Sequence, residues 1–154
     1  MLEINNLTNF IVDKKILSTV AKKVLIGENR ETENISLVFV GKKEIKKLNK
    51  KYRKIDKSTD VLSFDLSANY KLPTANSYLG EIVICPEVVK EKEEEILRVF
   101  IHGVLHLCGY DHPDEVEDLR QESRVFGPRQ RRDEKSKKEA GVMEEKERLY
   151  LSKI

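Results

Sequence analysis

A chain of 154 residues is long enough for one domain with its own hydrophobic core and short for two. Hydrophobic residues make up 39% and charged residues 36%, above the ~25% charged content usual for globular domains, yet the formal net charge is only +2. No apolar run nears the ~20 residues that span a bilayer, and Cys85 and Cys108 are too few for a disulfide framework, which excludes a membrane-embedded helix protein and a disulfide-rich secreted scaffold. The start Met1-Leu-Glu-Ile-Asn-Asn has neither the basic residues nor the apolar core of a secretory signal, so a soluble, cytoplasmic protein is expected.

Leu2-Glu-Ile-Asn reads as a short strand. Asp13 is placed to cap a helix whose apolar face is Ile16, Leu17, Val20, Val24 and Leu25 and which Gly27 closes. Asn34-Ile-Ser-Leu-Val-Phe-Val is rich in β-branched and aromatic residues and predicts a second strand ending at Gly41. Ile45 and Leu48 then stand at helical spacing and predict a helix over residues 42–52. Residues 61–66 and 78–84 form two further predicted strands, joined by a polar loop containing Pro73 and suited to antiparallel pairing.

Pro86 marks a helix start, and the glutamate-rich residues 87–95 run into the longest predicted helix, about 94–108. On its wheel Ile96, Leu97, Phe100, Ile101, Val104 and Leu105 cover about half the circumference, so it is expected to be mostly buried and to end at Gly109. A highly charged stretch follows over 113–138, and Val142, Met143, Leu149 and Leu151 predict a C-terminal helix. With no repeat and no linker, residues 1–154 read as a single domain.

All three histidines fall within eleven consecutive residues, His102-Gly-Val-Leu-His106-Leu-Cys-Gly-Tyr-Asp-His112. Four residues along a helix advance about 6 Å and rotate about 400°, so His102 and His106 share one face. Gly109 is suited to a left-handed conformation that reverses the chain and brings His112 in from outside the helix. Three neutral imidazoles with an open fourth position are how a catalytic zinc site is built, so one Zn2+ per chain is expected on His102, His106 and His112. A lone histidine beside an apolar face is usually a packing residue, but three at this spacing are harder to dismiss. Cys108, two residues from His106, points away from the imidazole face and reads as a buried thiol. Asp111 is either a partner that orients an imidazole or a turn residue.

The same histidine spacing occurs in metzincin peptidases, but those enzymes need Glu directly after the first His as general base. Gly103 has no side chain to move a proton, which makes that mechanism improbable. The glycine instead leaves room beside a metal for a bulky substrate, or serves close helix packing.

Between residues 42 and 57 stand nine lysines or arginines against Glu44 and Asp56, a local net of +7. By itself such a segment is as readily a solvated helix face as a phosphate-binding surface. Beside a metal site it favours a polyanion, with Lys46, Lys47, Lys50, Lys51, Arg53 and Lys54 as the candidate RNA-binding residues.

Three blocks carry a family resemblance: Asn49-Lys-Lys-Tyr-Arg-Lys-Ile-Asp-Lys-Ser-Thr-Asp-Val-Leu-Ser-Phe64, Leu79-Gly-Glu-Ile82 and the histidine segment. Together they resemble the signature blocks of the YbeY-type bacterial endoribonucleases. The resemblance implies an α+β fold, with a small mixed sheet of about four strands flanked by helices and a metal site at the end of a central buried helix. It also implies a zinc-dependent enzyme acting on single-stranded RNA, in maturation of the 3′ end of 16S ribosomal RNA and in ribosome quality control, with ribosomal RNA and ribosomal proteins as partners. By the same resemblance Arg53 matches the functional arginine, and His102, His106 and His112 match the metal ligands. Thr59 and Asp60 read as residues that shape the loop and strand entry. The chain departs from the pattern after His112, where Glu139-Ala-Gly-Val-Met143 appears only after about twenty extra residues, 113–133, which read as a flexible insertion.

The mechanism expected from these features is hydrolysis of RNA phosphodiesters by water activated on zinc, with Arg53 engaging the scissile phosphate and lysines holding the flanking backbone. Two other classes share the same residues. One is a ribosome-assembly factor that uses the metal as a structural clip, and the other a zinc hydrolase of a different ester or amide.

Overall fold

The computed structural model describes residues 1–66, 77–110 and 132–154, with the backbone alone over 132–140. The described elements run β1 (Leu2–Asn6), α1 (Lys14–Gly27), β2 (Asn34–Phe39), α2 (Lys42–Arg53), β3 (Val61–Asp65), β4 (Tyr78–Ile84), α3 (Pro86–Glu91), α4 (Ile96–Leu107) and α5 (Arg132–Leu151). The four strands make one mixed sheet in the order β1-β2-β4-β3. β1, β2 and β4 are mutually parallel, while β3 runs antiparallel to β4 with Val61 opposite Ile84 and Asp65 opposite Gly80. This is the α+β architecture expected from the sequence, including the β3–β4 pairing. The loop that contains Pro73 lies outside the described residues.

The central strands are apolar on both faces because helices cover both. On one face Ile35, Leu37 and Phe39 of β2 and Ile82 and Ile84 of β4 join Leu17, Val20 and Val24 of α1, Phe100, Ile101 and Val104 of α4, and Met143 of α5. On the other, Leu62 and Val83 meet Ile45 of α2 and Val88 of α3 in a smaller cluster.

α1 starts where expected, with Asp13 Oδ1 accepting from the backbone N–H groups of Lys15 and Ile16 at 2.9 and 3.0 Å. Its buried face contains Ala21, whereas Ile16 is 39% exposed. Its end is built differently from the expectation: the left-handed residue is Asn29, at φ 58°. Gly27 answers another need, because a Cβ there would overlap the Tyr150 hydroxyl arriving from α5. The predicted helix over 94–108 starts later, at Ile96, after a break that follows α3. Among the described side chains of α5 the buried ones are Met143, Glu147 and Tyr150, while Val142 and Leu149, two of the four positions read as its apolar face, are 39% and 47% exposed.

α4 lies across β3 and β4 at very short range, and two glycines make this possible. A Cβ on Gly80 would overlap the Phe64 carbonyl oxygen and come within 2.8 Å of Leu107 Cδ2, and a Cβ on Gly103 would stand 2.9 Å from Ile82 Cγ2 and 3.2 Å from Ser63 Oγ. Gly103 is therefore a packing glycine, and the space it leaves is filled by the sheet. Ser63 Oγ donates to the Gly103 carbonyl at 3.4 Å across the same contact.

The two kinds of helical and strand glycine separate in an unfolding experiment. Gly80→Ala is expected to cost about 2–3 kcal/mol, since backbone must move to admit the methyl group. Gly141→Ala, in α5 with no described atom within 4 Å of its Cβ position, is expected to stabilise by about 0.5–1 kcal/mol. Denaturant midpoints at constant slope check both.

Candidate metal centre and the groove beside it

His102 and His106 leave α4 one turn apart, with His102 reaching Glu147 of α5. Both are half-buried. Their Nε2 atoms stand 3.0 Å apart, with ring centroids at 4.6 Å and ring planes at 77°. Two imidazoles bound to a tetrahedral zinc at about 2.0–2.1 Å place their nitrogens about 3.3–3.4 Å apart, so a small ring rotation would admit the ion. The donor set fits zinc. His112 and Asp111 lie outside the described residues, and among the described residues no group of three His, Cys, Asp or Glu side chains is arranged to hold a metal ion by itself.

α4 ends in a tight turn at Gly109. Gly109 adopts φ 101°, its N–H donates to the His106 carbonyl at 3.0 Å, and the Tyr110 N–H donates to the Leu105 carbonyl at 3.1 Å. This pair of bonds is a Schellman motif, and the left-handed conformation of Gly109 is the one expected from the sequence. Cys108 is half-buried rather than fully buried as read from the sequence, and partial burial, helped by the nearby Glu28 carboxylate, pushes its thiol up to about 11, so it stays protonated at neutral pH.

The sequence reading missed Glu147. This carboxylate, 4% exposed, reaches the histidines from α5: Oε1 lies 2.7 Å from His102 Nδ1, and Oε2 accepts from Arg98 Nε at 3.3 Å. Burial raises its pKa, but the bonds to His102 and Arg98 outweigh that and hold it below the usual carboxylate range. Glu147 is separated from His102 by 45 positions, so no local spacing reveals the pair. The one available signal was the placement of a Glu between Met143 and Tyr150 on an otherwise apolar i, i+4, i+7 stripe.

A second carboxylate ties the same helix down. Glu28, just past α1, accepts from Tyr110 Oη at 2.8 Å, Lys146 Nζ at 2.6 Å and Tyr150 Oη at 2.7 Å. One side chain thus joins the end of α1, the turn after α4 and α5. Burial opposes its ionisation, and the three donors more than compensate, leaving its pKa below the ordinary value.

His102 opens on a groove of about 650 Å³ whose lining includes Arg53, Lys57, Lys92 and Arg98 together with Asp60, Glu144 and Glu147. Arg53 reaches it from the last turn of α2. Lys54 follows in a left-handed conformation at φ 64°, and Asn49 Nδ2 donates to the Lys57 carbonyl at 2.8 Å, folding the next loop back under the helix. Thr59 Oγ1 donates to Asp60 Oδ1 at 2.9 Å, Lys92 pairs with Asp60 at 3.1 Å, and the Asp60 carbonyl receives the Cys85 N–H at 2.8 Å. Thr59 and Asp60 thus shape the strand entry, as read from the sequence.

The other basic residues of α2 stand outside this lining. Lys46 and Lys50 pair with Asp56 at 3.6 and 2.9 Å, and Lys47 pairs with Glu44 at 3.4 Å. The Lys51 ammonium lies 5.0 Å from the Tyr52 ring centre, and Lys54 Nζ donates to the Lys51 carbonyl at 3.1 Å. Three cations that the sequence reading did not single out, Lys57, Lys92 and Arg98, line the groove with Arg53 instead.

The family profile described as Endoribonuclease YbeY matches residues 3–125. The chain belongs to that family. Among proteins named Endoribonuclease YbeY, the one from Aliarcobacter butzleri is 40% identical over 120 residues, covering 73% of this chain and 79% of the relative. Those from Thermotoga neapolitana and Finegoldia magna are each 36% identical, over 118 and 127 residues, covering 70% and 75% of this chain and 74% and 82% of the relatives. The resemblance carried by the three motif blocks is thereby confirmed. Among the described residues no helix is long and apolar enough to cross a membrane.

Glu28→Gln is expected to lower stability at neutral pH by on the order of 2 kcal/mol, because the charged acceptor for Lys146 and two phenols is lost. The folded-state pKa of Glu28 lies below its ordinary value of 4.5, so its contribution is full above that pH and is lost as pH falls through the folded value. Denaturant unfolding of wild type and Glu28→Gln from pH 7 to pH 3 should show the two stabilities converging on the acid side.

Proposed function

We propose that this chain is a metal-dependent endoribonuclease that hydrolyses phosphodiester bonds of single-stranded RNA. The observation that carries the reading is the facing pair of imidazoles, His102 and His106, at a groove whose wall includes Arg53. The family name supports RNA as the substrate class.

An all-imidazole donor set favours zinc, with His102, His106 and His112 as its holders. When bound, zinc supplies a Lewis acid that lowers the pKa of a bound water toward ≈7. His102 and His106 contribute neutral Nε2 donors from a rigid helix. Arg53 offers a fixed cation to the phosphate, whose charge grows in the transition state. Lys57, Lys92 and Arg98 place further cations along the groove, among the carboxylates Asp60, Glu94, Glu144 and Glu147, and Lys46, Lys47, Lys50, Lys51 and Lys54 offer a second basic surface for flanking backbone. We assign the biological substrate to the 3′ end of 16S ribosomal RNA in the cytoplasm, in maturation and quality control of the ribosome, with ribosomal proteins as partners.

The test measures zinc content and cleavage of an end-labelled single-stranded RNA for wild type, His106→Ala and Arg53→Glu. His106→Ala is expected to lose zinc and cleave at least 100-fold more slowly, while Arg53→Glu keeps zinc and slows by about 10²–10³-fold, the usual scale for removing one charge-stabilising group. Unaltered cleavage in both variants sinks the mechanism. A zinc-loaded wild type that binds RNA without ever cutting it points instead to a non-catalytic assembly factor.

A further inference from the structure

An imidazole has two nitrogens, and which of them is left free to bind a metal depends on what holds the other. At His102 the holder is Glu147, whose Oε1 lies 2.7 Å from Nδ1, while Nε2 of the same ring faces Nε2 of His106 at 3.0 Å. With its other oxygen paired to Arg98, the carboxylate is suited to accept from Nδ1–H, the tautomer that leaves the Nε2 lone pair pointing at the second histidine. We infer that Glu147 is the positioning residue of the metal centre, setting the tautomer and ring angle of His102 from a helix on the far side of the histidine segment. The inference rests on the reading of His102 and His106 as metal ligands.

Three features make the carboxylate suited to the task. It is buried at 4% exposure, so its hydrogen bond competes little with water. Its second oxygen is held by Arg98, one helical turn before His102, which prevents the carboxylate from rotating away. Met143 and Tyr150, also buried on α5, fix the height of Glu147 along α4. With a metal held on Nε2, Glu147 would be the outer partner that raises the donor strength of the His102 ring and restricts its orientation. It also gives α5 a functional role, since the site is incomplete without the helix that follows the charged stretch.

A purely structural link between α4 and α5 would affect folding and leave metal binding alone, so the test reads metal binding directly. Zn2+ affinity is measured by chelator competition, and the visible spectrum of the Co2+-substituted protein is recorded, for wild type, Glu147→Gln and Glu147→Ala, each shown to be folded by circular dichroism without metal. Glu147→Ala is expected to bind Zn2+ about 10–100-fold more weakly, with an altered Co2+ spectrum, and the volume-matched Glu147→Gln, which accepts the bond without the charge, about 3–10-fold more weakly. Wild-type affinity and an unchanged spectrum in a folded Glu147→Gln and Glu147→Ala overturn the inference while leaving the proposed nuclease standing. Weakened Zn2+ binding in both variants, together with a wild type that never cleaves RNA, upholds the inference and removes the nuclease. A wild type that takes up no Zn2+ removes both.

Discussion

Everything near the candidate site depends on how closely α4 is seated against β3 and β4. Gly80 and Gly103 remove the two side chains that would hold helix and sheet apart, and Leu107 and Ile82 fill the contact from either side. Interiors pack at nearly crystalline density, so a helix held this tightly has little freedom to slide or rotate. The rotation of α4 about its axis is thereby set, and with it the directions in which His102 and His106 project. Two imidazoles can face each other at 3.0 Å because their helix is rigid along its buried side.

Polar anchors complete what apolar packing begins. Glu147 and Glu28 are carboxylates with side chains only 5% and 8% exposed, each offset by several donors. Buried charges persist only where such compensation is nearly complete, and their directional bonds then specify one arrangement in a way that Leu or Val contacts do not. Glu147 joins α5 to the histidines. Glu28, at the end of α1, joins α5 to Tyr110, two residues before His112, so both anchors tie α5 to the chain around the candidate centre.

The charge pattern shows a similar division between supply and placement. α2 is the most basic part of the chain, yet of its cations only Arg53 lies in the lining of the groove. Lys57, Lys92 and Arg98 come from a loop after α2, from the end of α3 and from α4, and the fold collects them beside His102. Asp60 and Glu147 partly neutralise Lys92 and Arg98. Such pairs hold long side chains in place more than they add stability.

Local signals determined a large share of this protein. Asp13 as a cap, Gly109 as a left-handed turn, the strand runs around Leu37 and Ile82, and the apolar face of α4 all act over a few residues, where propensity and periodicity are legible. The four-residue spacing of His102 and His106 belongs to the same class, and with Arg53 and the motif blocks it was sufficient to name the family. What the chain could not reveal locally is what depends on contacts distant in sequence. Gly103 read equally well as substrate space or as packing, and only its distance to Ile82 decided between them. Gly27 does end α1, as the sequence suggested, but what requires a glycine there is the Tyr150 hydroxyl packed against it. Glu147, hidden among the many acidic residues of a charged helix, became part of the site only when α5 docked on α4. Covalent neighbours determine a residue's backbone preference, but its partner is chosen by packing, and for a buried carboxylate the partner is what gives it a function.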